Sequence, residues 1–212
     1  AHPMARALLN ALGPEKALAA PSANRFGRIS PTTAEHVWQE LGKTVDLILD
    51  GGACEVGLES TIVSFHAQLP HILRPGAITA SALEAALQSP FLIAAANPII
   101  RTSGSLPSHY APTTPLRIHS TELIRQHAFA LGAQNLRAVV MPWSGIDLTS
   151  LSTHASIQIH SMPANPVLYG RQLYATLRHF DQAELDYLLV EAPPELPEWL
   201  AIADRLQRAS HH

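Results

Sequence analysis

The chain has 212 residues, of which 47% are hydrophobic and only 15% are charged, and its net charge is −3. This composition excludes intrinsic disorder, coiled coil and collagen, and the absence of any run of about 18 apolar residues excludes a membrane span. Acidic and basic residues are nearly balanced in both halves of the chain, so neither half has the basic excess of a dedicated nucleic-acid-binding surface.

The first predicted region covers residues 1–93. Helical spacing of apolar residues predicts helices over 2–12, 30–41 and 79–87. Ser30 is the expected N-cap of the second helix, and Ser81 with Glu84 has the spacing of a capping box in the third. Short apolar runs predict strands over 17–20 and 45–49, and alternation over 59–65 predicts a strand that forms a hairpin with His71 to Leu73.

Residues 94–115 contain many Pro, Gly and Ser residues, which predict an interdomain linker or a functional loop. From residue 116 onward, strand and helix patterns alternate. This alternation predicts a small parallel α/β sheet. The predicted strands cover 116–119, 136–141, 156–160 and 187–191, and the predicted helices cover 121–131, 168–180 and 197–209.

Familiar catalytic motifs are absent from the sequence. It contains no P-loop, no dinucleotide-binding glycine motif, no nucleophile elbow and no zinc-protease histidine pair. The histidines show no metal-ligand spacing, and His154 and His160 are interpreted as ordinary surface or strand positions. Cys54 is the only cysteine, which excludes a disulfide framework and favours a reducing, cytoplasmic compartment.

Five polar clusters at the ends of predicted elements remain as candidate binding groups. Free amides and hydroxyls at such ends attract phosphates, and an arginine fixed by a Pro-Gly turn suits a phosphate or a carboxylate. Each cluster also has a structural explanation: a turn, an N-cap, an edge-strand hydroxyl pair, a surface ion pair or a residue that pins the linker. The clusters are Ala20-Pro21-Ser22-Ala23-Asn24, Ser30-Pro31-Thr32-Thr33, Gly57-Leu58-Glu59-Ser60-Thr61, Leu73-Arg74-Pro75-Gly76 and Ser108-His109-Tyr110-Ala111-Pro112.

In their order and spacing, these clusters resemble the YrdC/Sua5 family of threonylcarbamoyl-AMP synthases. The resemblance includes His2-Pro3 at the start and the tail around Tyr174 to Arg178, so it covers essentially the whole chain. It implies an α/β fold that comprises the C-terminal half of a YrdC-like twisted-sheet domain (1–93), a linker (94–115) and a small Rossmann-like parallel α/β Sua5 domain (116–212). It also implies that the N-terminal half of the YrdC-like domain, with further nucleotide and threonine contacts, lies before residue 1.

The resemblance implies an L-threonylcarbamoyladenylate synthase that takes part in t6A modification of tRNA. L-Threonine and bicarbonate would form N-carboxy-threonine, which attacks the α-phosphate of ATP and releases pyrophosphate. Mg²⁺ would accompany ATP, and the threonylcarbamoyl-AMP would pass to t6A-transfer proteins. In such a transfer the protein mainly positions the reactants and neutralises charge.

Position by position, the resemblance assigns roles to eight residues and assigns neither a catalytic residue nor a metal ligand. Because Tyr110 lies in the linker, it is expected to contribute more to turnover than to stability. Ser22, Ser30, Arg74 and Tyr110 match ATP contacts, Ala20 and Ser60 match threonine contacts, and Asn24 and Thr61 match supporting positions.

Two alternatives stay open at this point. One is a YrdC-type module that binds double-stranded RNA or tRNA, or acts in ribosome assembly; the near-neutral charge of residues 1–115 speaks against it. The other is a carbamoyl-adenylate enzyme of the hydrogenase-maturation type. The linker and the Sua5-like tail argue against that reading, as does the lack of zinc-finger-like cysteines in this chain.

Overall fold

The computed structural model describes residues 2–65, 69–93, 102–104 and 109–211, and its strands form two sheets. In the first sheet β1 pairs antiparallel with β2, and β2 pairs parallel with β3. In the second sheet all strands are parallel, in the order β4-β7-β5-β6. This mixed α/β architecture confirms the predicted fold class. The strands are β1 (Ile62–Ser64), β2 (His71–Arg74), β3 (Leu92–Ile93), β4 (Leu116–His119), β5 (Ala138–Met141), β6 (Ile157–Ile159) and β7 (Tyr187–Glu191).

Six α-helices accompany the strands in the described part of the chain. Ser120 and Asn165 cap two of them, because their side-chain oxygens accept hydrogen bonds from first-turn amides. Short 3₁₀ turns cover Gly42–Thr44, Thr149–Thr153 and Pro197–Trp199. The α-helices are α1 (Pro3–Leu12), α2 (Ala34–Leu41), α3 (Ala80–Leu87), α4 (Thr121–Ala133), α5 (Pro166–Asp181) and α6 (Leu200–Ala209).

The second sheet lies between two helical layers. Every residue of β5 is buried, and successive side chains point to opposite faces of the sheet. Val139 and Met141 pack in the cluster formed with α5 and α6, whereas Ala138 and Val140 pack with α4. The result is a three-layer α/β/α unit that contains most of the buried apolar residues.

Glu191, at the carboxyl end of β7, is fully buried and ties three strand ends together. Its carboxylate accepts hydrogen bonds from the Thr121 hydroxyl (2.7 Å), from the Trp143 amide (2.8 Å) and from both the amide and the hydroxyl of Ser144 (3.0 and 2.6 Å). Burial alone would raise the pKa of Glu191, but these hydrogen bonds outweigh it and hold the pKa below its ordinary value. The carboxylate thus lies at the sheet edge where open α/β sheets commonly bind ligands.

The region before the second sheet is thinly packed. Helices α1, α2 and α3 contain no buried residue. The strands predicted over 17–20 and 45–49 are wrong: both segments lack regular structure, and Leu47 is 74% exposed. A strand needs a partner for its backbone groups, and no strand within the described ranges pairs with either segment. The hairpin prediction is confirmed, although the first strand shortens to Ile62–Ser64.

The second helix begins later than predicted. Its N-cap is Thr33, whose hydroxyl accepts the His36 amide at 3.2 Å, so the expected cap at Ser30 is wrong. The Ser30 hydroxyl instead donates to Glu59 at 2.6 Å. The Ser30 side chain therefore binds the distant Glu59 carboxylate instead of capping the helix.

The cap of the third helix also differs from the prediction. Thr79 is the N-cap, and its hydroxyl accepts the Ala82 amide at 3.3 Å. Glu84 accepts the Phe91 amide at 3.0 Å, beyond the C-terminal end of the helix. The expected Ser81–Glu84 capping box is therefore wrong, since Glu84 stabilises the turn into β3.

The end of the predicted linker joins the two regions. Residues 94–101 and 105–108 of the linker lie outside the described residues. Beyond them, the His109 amide donates to the Arg208 carbonyl (3.3 Å), and the Ala111 amide donates to the Gly27 carbonyl (2.8 Å). The domain boundaries themselves stay predictions. None of the described helices combines the length and the apolar character that crossing a membrane requires.

Arg178 of α5 makes a further connection between the regions. It is buried, its Nη1 lies 3.0 Å from Glu40 of α2, and its Nη2 donates to the Ile29 carbonyl. A buried guanidinium needs such partners, because an unpaired charge in the interior is costly. Arg178 thus connects the second unit both to α2 and to the segment that precedes it.

Candidate active site

A cleft of about 570 Å³ lies where the first sheet, the 20–26 segment and the end of the linker meet. The structure brings five of the eight predicted site residues to its wall: Ala20, Ser22, Ser60, Arg74 and Tyr110. Since these residues come from four of the five sequence clusters, the cleft joins groups that are far apart in the chain.

Arg74 ends β2 and is 8% exposed at the cleft wall. Its Nε and Nη2 donate to the Ser60 carbonyl at 3.1 and 2.9 Å, and its Nη1 donates to the Ser103 carbonyl at 3.0 Å. No carboxylate of the described residues forms an ion pair with it. The alternative of a surface ion pair is therefore wrong. Arg74 is an oriented cation held by neutral acceptors, and such a group can take an anion.

Ser60 and Thr61 immediately precede β1, and Ser60 lies beside Arg74. The Ser60 hydroxyl accepts a hydrogen bond from Arg74 Nη2 at 3.3 Å and is exposed to the cleft. Thr61 does not line the cleft; its hydroxyl donates to the Ile78 carbonyl at 2.8 Å. Gly76 packs so closely on the Thr61 amide that a Cβ would not fit there. Thr61 thus secures the turn that follows Arg74.

A second cleft, of about 680 Å³, adjoins the first. Ser22 and Glu59 line both clefts, whereas Ser30 lines only the second. Asn24 lines neither, and its amide nitrogen donates to the carbonyls of Arg25 (2.8 Å) and Arg28 (3.2 Å). These bonds give Asn24 a structural role in the turn.

Tyr110 is a core residue, with only 1% of its surface exposed. Its ring stacks on Tyr174 at 5.6 Å between centroids, and the Arg205 guanidinium carbon lies 5.3 Å from its centroid. Gly104 packs directly against its hydroxyl, with no room for a Cβ. The premise that Tyr110, as a linker residue, lies outside the core is therefore wrong, because the described end of the linker passes through the interface between the two regions. Whether Tyr110 contributes more to turnover than to stability stays a prediction.

His109 reaches the same cleft and was not predicted as a site residue. Its Nδ1 is buried without a hydrogen-bond partner, and its ring meets Tyr110 edge-on at 4.2 Å between centroids. Burial is the main cause that lowers the pKa of His109, and the positive charges of Arg208, Arg205 and Arg74 act in the same direction. The imidazole is therefore neutral near pH 7.

Glu59 is the carboxylate of this cleft, and it too was missed as a site residue. It accepts hydrogen bonds from Ser30 (2.6 Å), from the Tyr174 hydroxyl (3.0 Å) and from Arg205 Nε (2.9 Å). Burial pushes the pKa of Glu59 upward, but the Arg205 charge and the Ser30 hydrogen bond outweigh it, so the pKa lies below its ordinary value. Glu59 is thus an ionised group with three bound donors, and it connects the two regions.

Comparison with known proteins identifies the family. A family model described as "Threonylcarbamoyl-AMP synthase, C-terminal domain" matches residues 78–211. The chain belongs to the threonylcarbamoyl-AMP synthase family. A second model, described as "Telomere recombination" and named for Sua5, YciO and YrdC, matches residues 1–76. The resemblance found in the sequence is therefore confirmed.

Individual relatives of the threonylcarbamoyl-AMP synthase family align along nearly the whole chain. The protein named threonylcarbamoyl-AMP synthase in Bacillus subtilis is 33% identical over 99% of this chain, and the one in Schizosaccharomyces pombe is also 33% identical over 99%. The chain covers 61% and 55% of those two proteins, respectively, so it spans somewhat more than half their length.

Solved structures of the family have the same fold. A crystal structure of P. abyssi Sua5 complexed with L-threonine matches with a TM-score of 0.70 at 25% identity, covering 91% of this chain and 57% of that one. A doubly substituted form of P. abyssi Sua5 matches with a TM-score of 0.80 at 25% identity, over 99% of this chain and 61% of that one.

Proposed function

We propose that this chain carries the C-terminal part of the substrate site of an L-threonylcarbamoyladenylate synthase. The enzyme would form threonylcarbamoyl-AMP and pyrophosphate from L-threonine, bicarbonate and ATP, and t6A-transfer proteins would use the product on tRNA. Family membership supports this reaction, as do the names of the relatives from B. subtilis and S. pombe.

The observation that carries the proposal is the pairing of Arg74 with Ser60 at one cleft wall. Arg74 is a nearly buried cation without a carboxylate partner among the described residues, which suits a phosphate of ATP. Ser60 presents an exposed hydroxyl next to it, and Ala20 lies on the same wall. Threonine bound at Ser60 and Ala20 would lie beside the phosphate, as the attack on the α-phosphate requires.

The remaining ATP contacts are assigned to Ser22, Ser30 and Tyr110. Ser22 is exposed and lines both clefts, so a nucleotide bound in either cleft could contact it. The Ser30 hydroxyl donates its proton to Glu59, so it can serve a nucleotide only as an acceptor. Tyr110 is buried and its hydroxyl packs against Gly104, so its contact with a nucleotide would be confined to the cleft wall near Gly104.

Mg²⁺ is proposed to arrive on the phosphates of ATP as part of the substrate. Within the described ranges, no group of three or more His, Cys, Asp or Glu side chains could hold a metal ion. Glu59, the carboxylate of the cleft, is already bound by three donors. The proposal places the reaction in a reducing compartment, the cytoplasm, because the single cysteine, Cys54, is exposed and free.

The test is pyrophosphate release from ATP with Mg²⁺, L-threonine and bicarbonate, each omitted in turn. It uses this chain beside a form extended upstream, because this chain covers 61% and 55% of the B. subtilis and S. pombe relatives. Release that requires both threonine and bicarbonate is the expected result, and D-threonine is the matched control. Release that is indifferent to threonine would overturn the proposal. So would an absence of release from both forms, and tight binding of double-stranded RNA with a steep salt dependence would then favour the RNA-binding alternative.

A further inference from the structure

Arg205 of α6 is fully buried, and its guanidinium makes two hydrogen bonds to the first region. Its Nε donates to Glu59 at 2.9 Å, and its Nη2 donates to the Pro75 carbonyl at 3.0 Å. Its Nη1 is paired with Asp204, which also binds Arg208. One guanidinium from the second unit therefore holds two separate points of the first.

Those two points adjoin the proposed ligand contacts. Glu59 immediately precedes Ser60, and Pro75 immediately follows Arg74. A planar peptide unit leaves only two soft torsions per residue, so fixing a neighbour restricts the residue beside it. Arg205 thus bridges the segment that presents the Ser60 hydroxyl and the turn that follows the Arg74 cation.

Two further candidate residues depend on the same guanidinium. Glu59, held by Arg205, accepts the Ser30 hydroxyl through its other oxygen. The ring of Tyr110 lies against the guanidinium, 5.3 Å from its carbon. Four of the eight predicted site residues, Ser30, Ser60, Arg74 and Tyr110, therefore contact or directly adjoin in sequence one member of the set Arg205, Glu59 and Pro75.

Arg178 provides a comparison, because it forms a similar ion pair between the two regions at a different place. It too is a buried arginine of the second unit that pairs with a glutamate of the first, here Glu40. Glu40 lines neither of the two clefts that contain the predicted site residues. Both ion pairs hold the regions together, and Arg178 also donates to the Ser30 carbonyl at 3.4 Å. The two pairs differ at the glutamate, because Glu59 lines both clefts.

We propose that Arg205 is a positioning residue, through which the C-terminal unit sets the geometry of the threonine- and phosphate-binding walls. Arg205 does not touch the ligands itself; it acts through Glu59 and Pro75. This inference rests on the proposed function for the identity of the ligands. The structural part of the inference is that Arg205 orders the segments around Ser60 and Arg74. That part can be tested without the ligands.

The experiment compares Arg205→Gln and Arg205→Lys with the control Glu40→Gln, which loses an equivalent buried ion pair. Hydrogen–deuterium exchange of peptides over 58–64 and 71–77 reports local order, and calorimetric titration gives Kd for L-threonine and for ATP. Arg205→Gln is expected to raise exchange in both peptides and each Kd by about tenfold or more. Arg205→Lys, which keeps the charge for Glu59 but loses a donor for Pro75, should fall between. Glu40→Gln should leave both readouts within about threefold.

Equal effects of Arg205→Gln and Glu40→Gln would overturn the inference, because both would then report only the loss of interdomain stability. Unchanged exchange around Ser60 and Arg74 in Arg205→Gln would overturn it as well. If the parent chain binds neither ligand, the proposed function fails for this chain, while the exchange data still decide the positioning role. If Arg205→Gln fails to fold, Tyr174→Phe replaces it. That variant removes the hydrogen bond that the uncharged Tyr174 hydroxyl donates to Glu59 and should raise exchange over 58–64 alone.

Discussion

Replacing Tyr110 with alanine should destabilise the protein strongly, although the residue lies at the end of a predicted linker. Tyr110 is 1% exposed, and a buried tyrosine removes about 150–250 Å² from water. At about 25 cal/mol per Å², this area corresponds to about 4–6 kcal/mol. Partial collapse of the surroundings and residual burial in the unfolded chain reduce the value, so we expect Tyr110→Ala to lower the free energy of unfolding by about 3–5 kcal/mol.

The measurement is urea and thermal unfolding, followed by circular dichroism and tryptophan fluorescence. In a chain of this length the expected loss corresponds to a fall in Tm of about 6–20 °C. Tyr110→Phe is the matched control, because it keeps the ring on Tyr174 and loses only the hydroxyl beside Gly104. A loss below about 1 kcal/mol in Tyr110→Ala, with an unchanged dependence on urea, would refute the reasoning from burial.

Three further predictions follow from single groups. Arg74→Ala should weaken ATP binding by about 1.5–3 kcal/mol, the size of a charge-assisted contact; calorimetry with Arg117→Ala as the control measures it, and unchanged affinity would remove Arg74 from the site. Glu191→Gln should lower the free energy of unfolding by about 2–4 kcal/mol, because its amide group would face donors that now bind a carboxylate; a urea midpoint equal to that of the parent would contradict this. Burial, the neighbouring His127 and Arg117 lower the pKa of His119 from 6.5 to about 4. The unfolded chain therefore binds more protons between these values, so stability present above pH 6.5 is lost as the pH falls toward 4. His119→Asn should flatten that slope in unfolding curves measured across this pH range.

The second sheet could be predicted because its central strands, β5 and β7, are buried on both faces. Runs such as Ala138–Met141 are apolar throughout, and helices of suitable length separate them. The run over 45–49 has a similar composition, yet Leu47 is 74% exposed. An apolar run carries no information on whether a partner strand lies beside it, so the same pattern led to one correct and one wrong strand.

In the candidate site, too, residues marked by a local sequence signal could be predicted, whereas residues defined by long-range contacts could not. Arg74 was found because the Pro75-Gly76 turn marks it locally. Glu59 and Arg205 were missed because their ion pair joins positions 146 residues apart. One local signal was present in α6: Ala201 and Ala209 lie one turn on either side of Arg205, and such small neighbours leave space for a buried guanidinium.

The strand order of the second sheet has a consequence for the protein as it is synthesised. Since β7 pairs with both β4 and β5, the four strands cannot join into one sheet until residues 187–191 have left the ribosome. Arg205 follows β7, so a nascent chain exposes Ser60 and Arg74 long before the helix that braces them exists. The cleft therefore cannot be braced before α6 has been synthesised, and a chain that ended before β7 would carry Ser60 and Arg74 without the arginine that holds their neighbours.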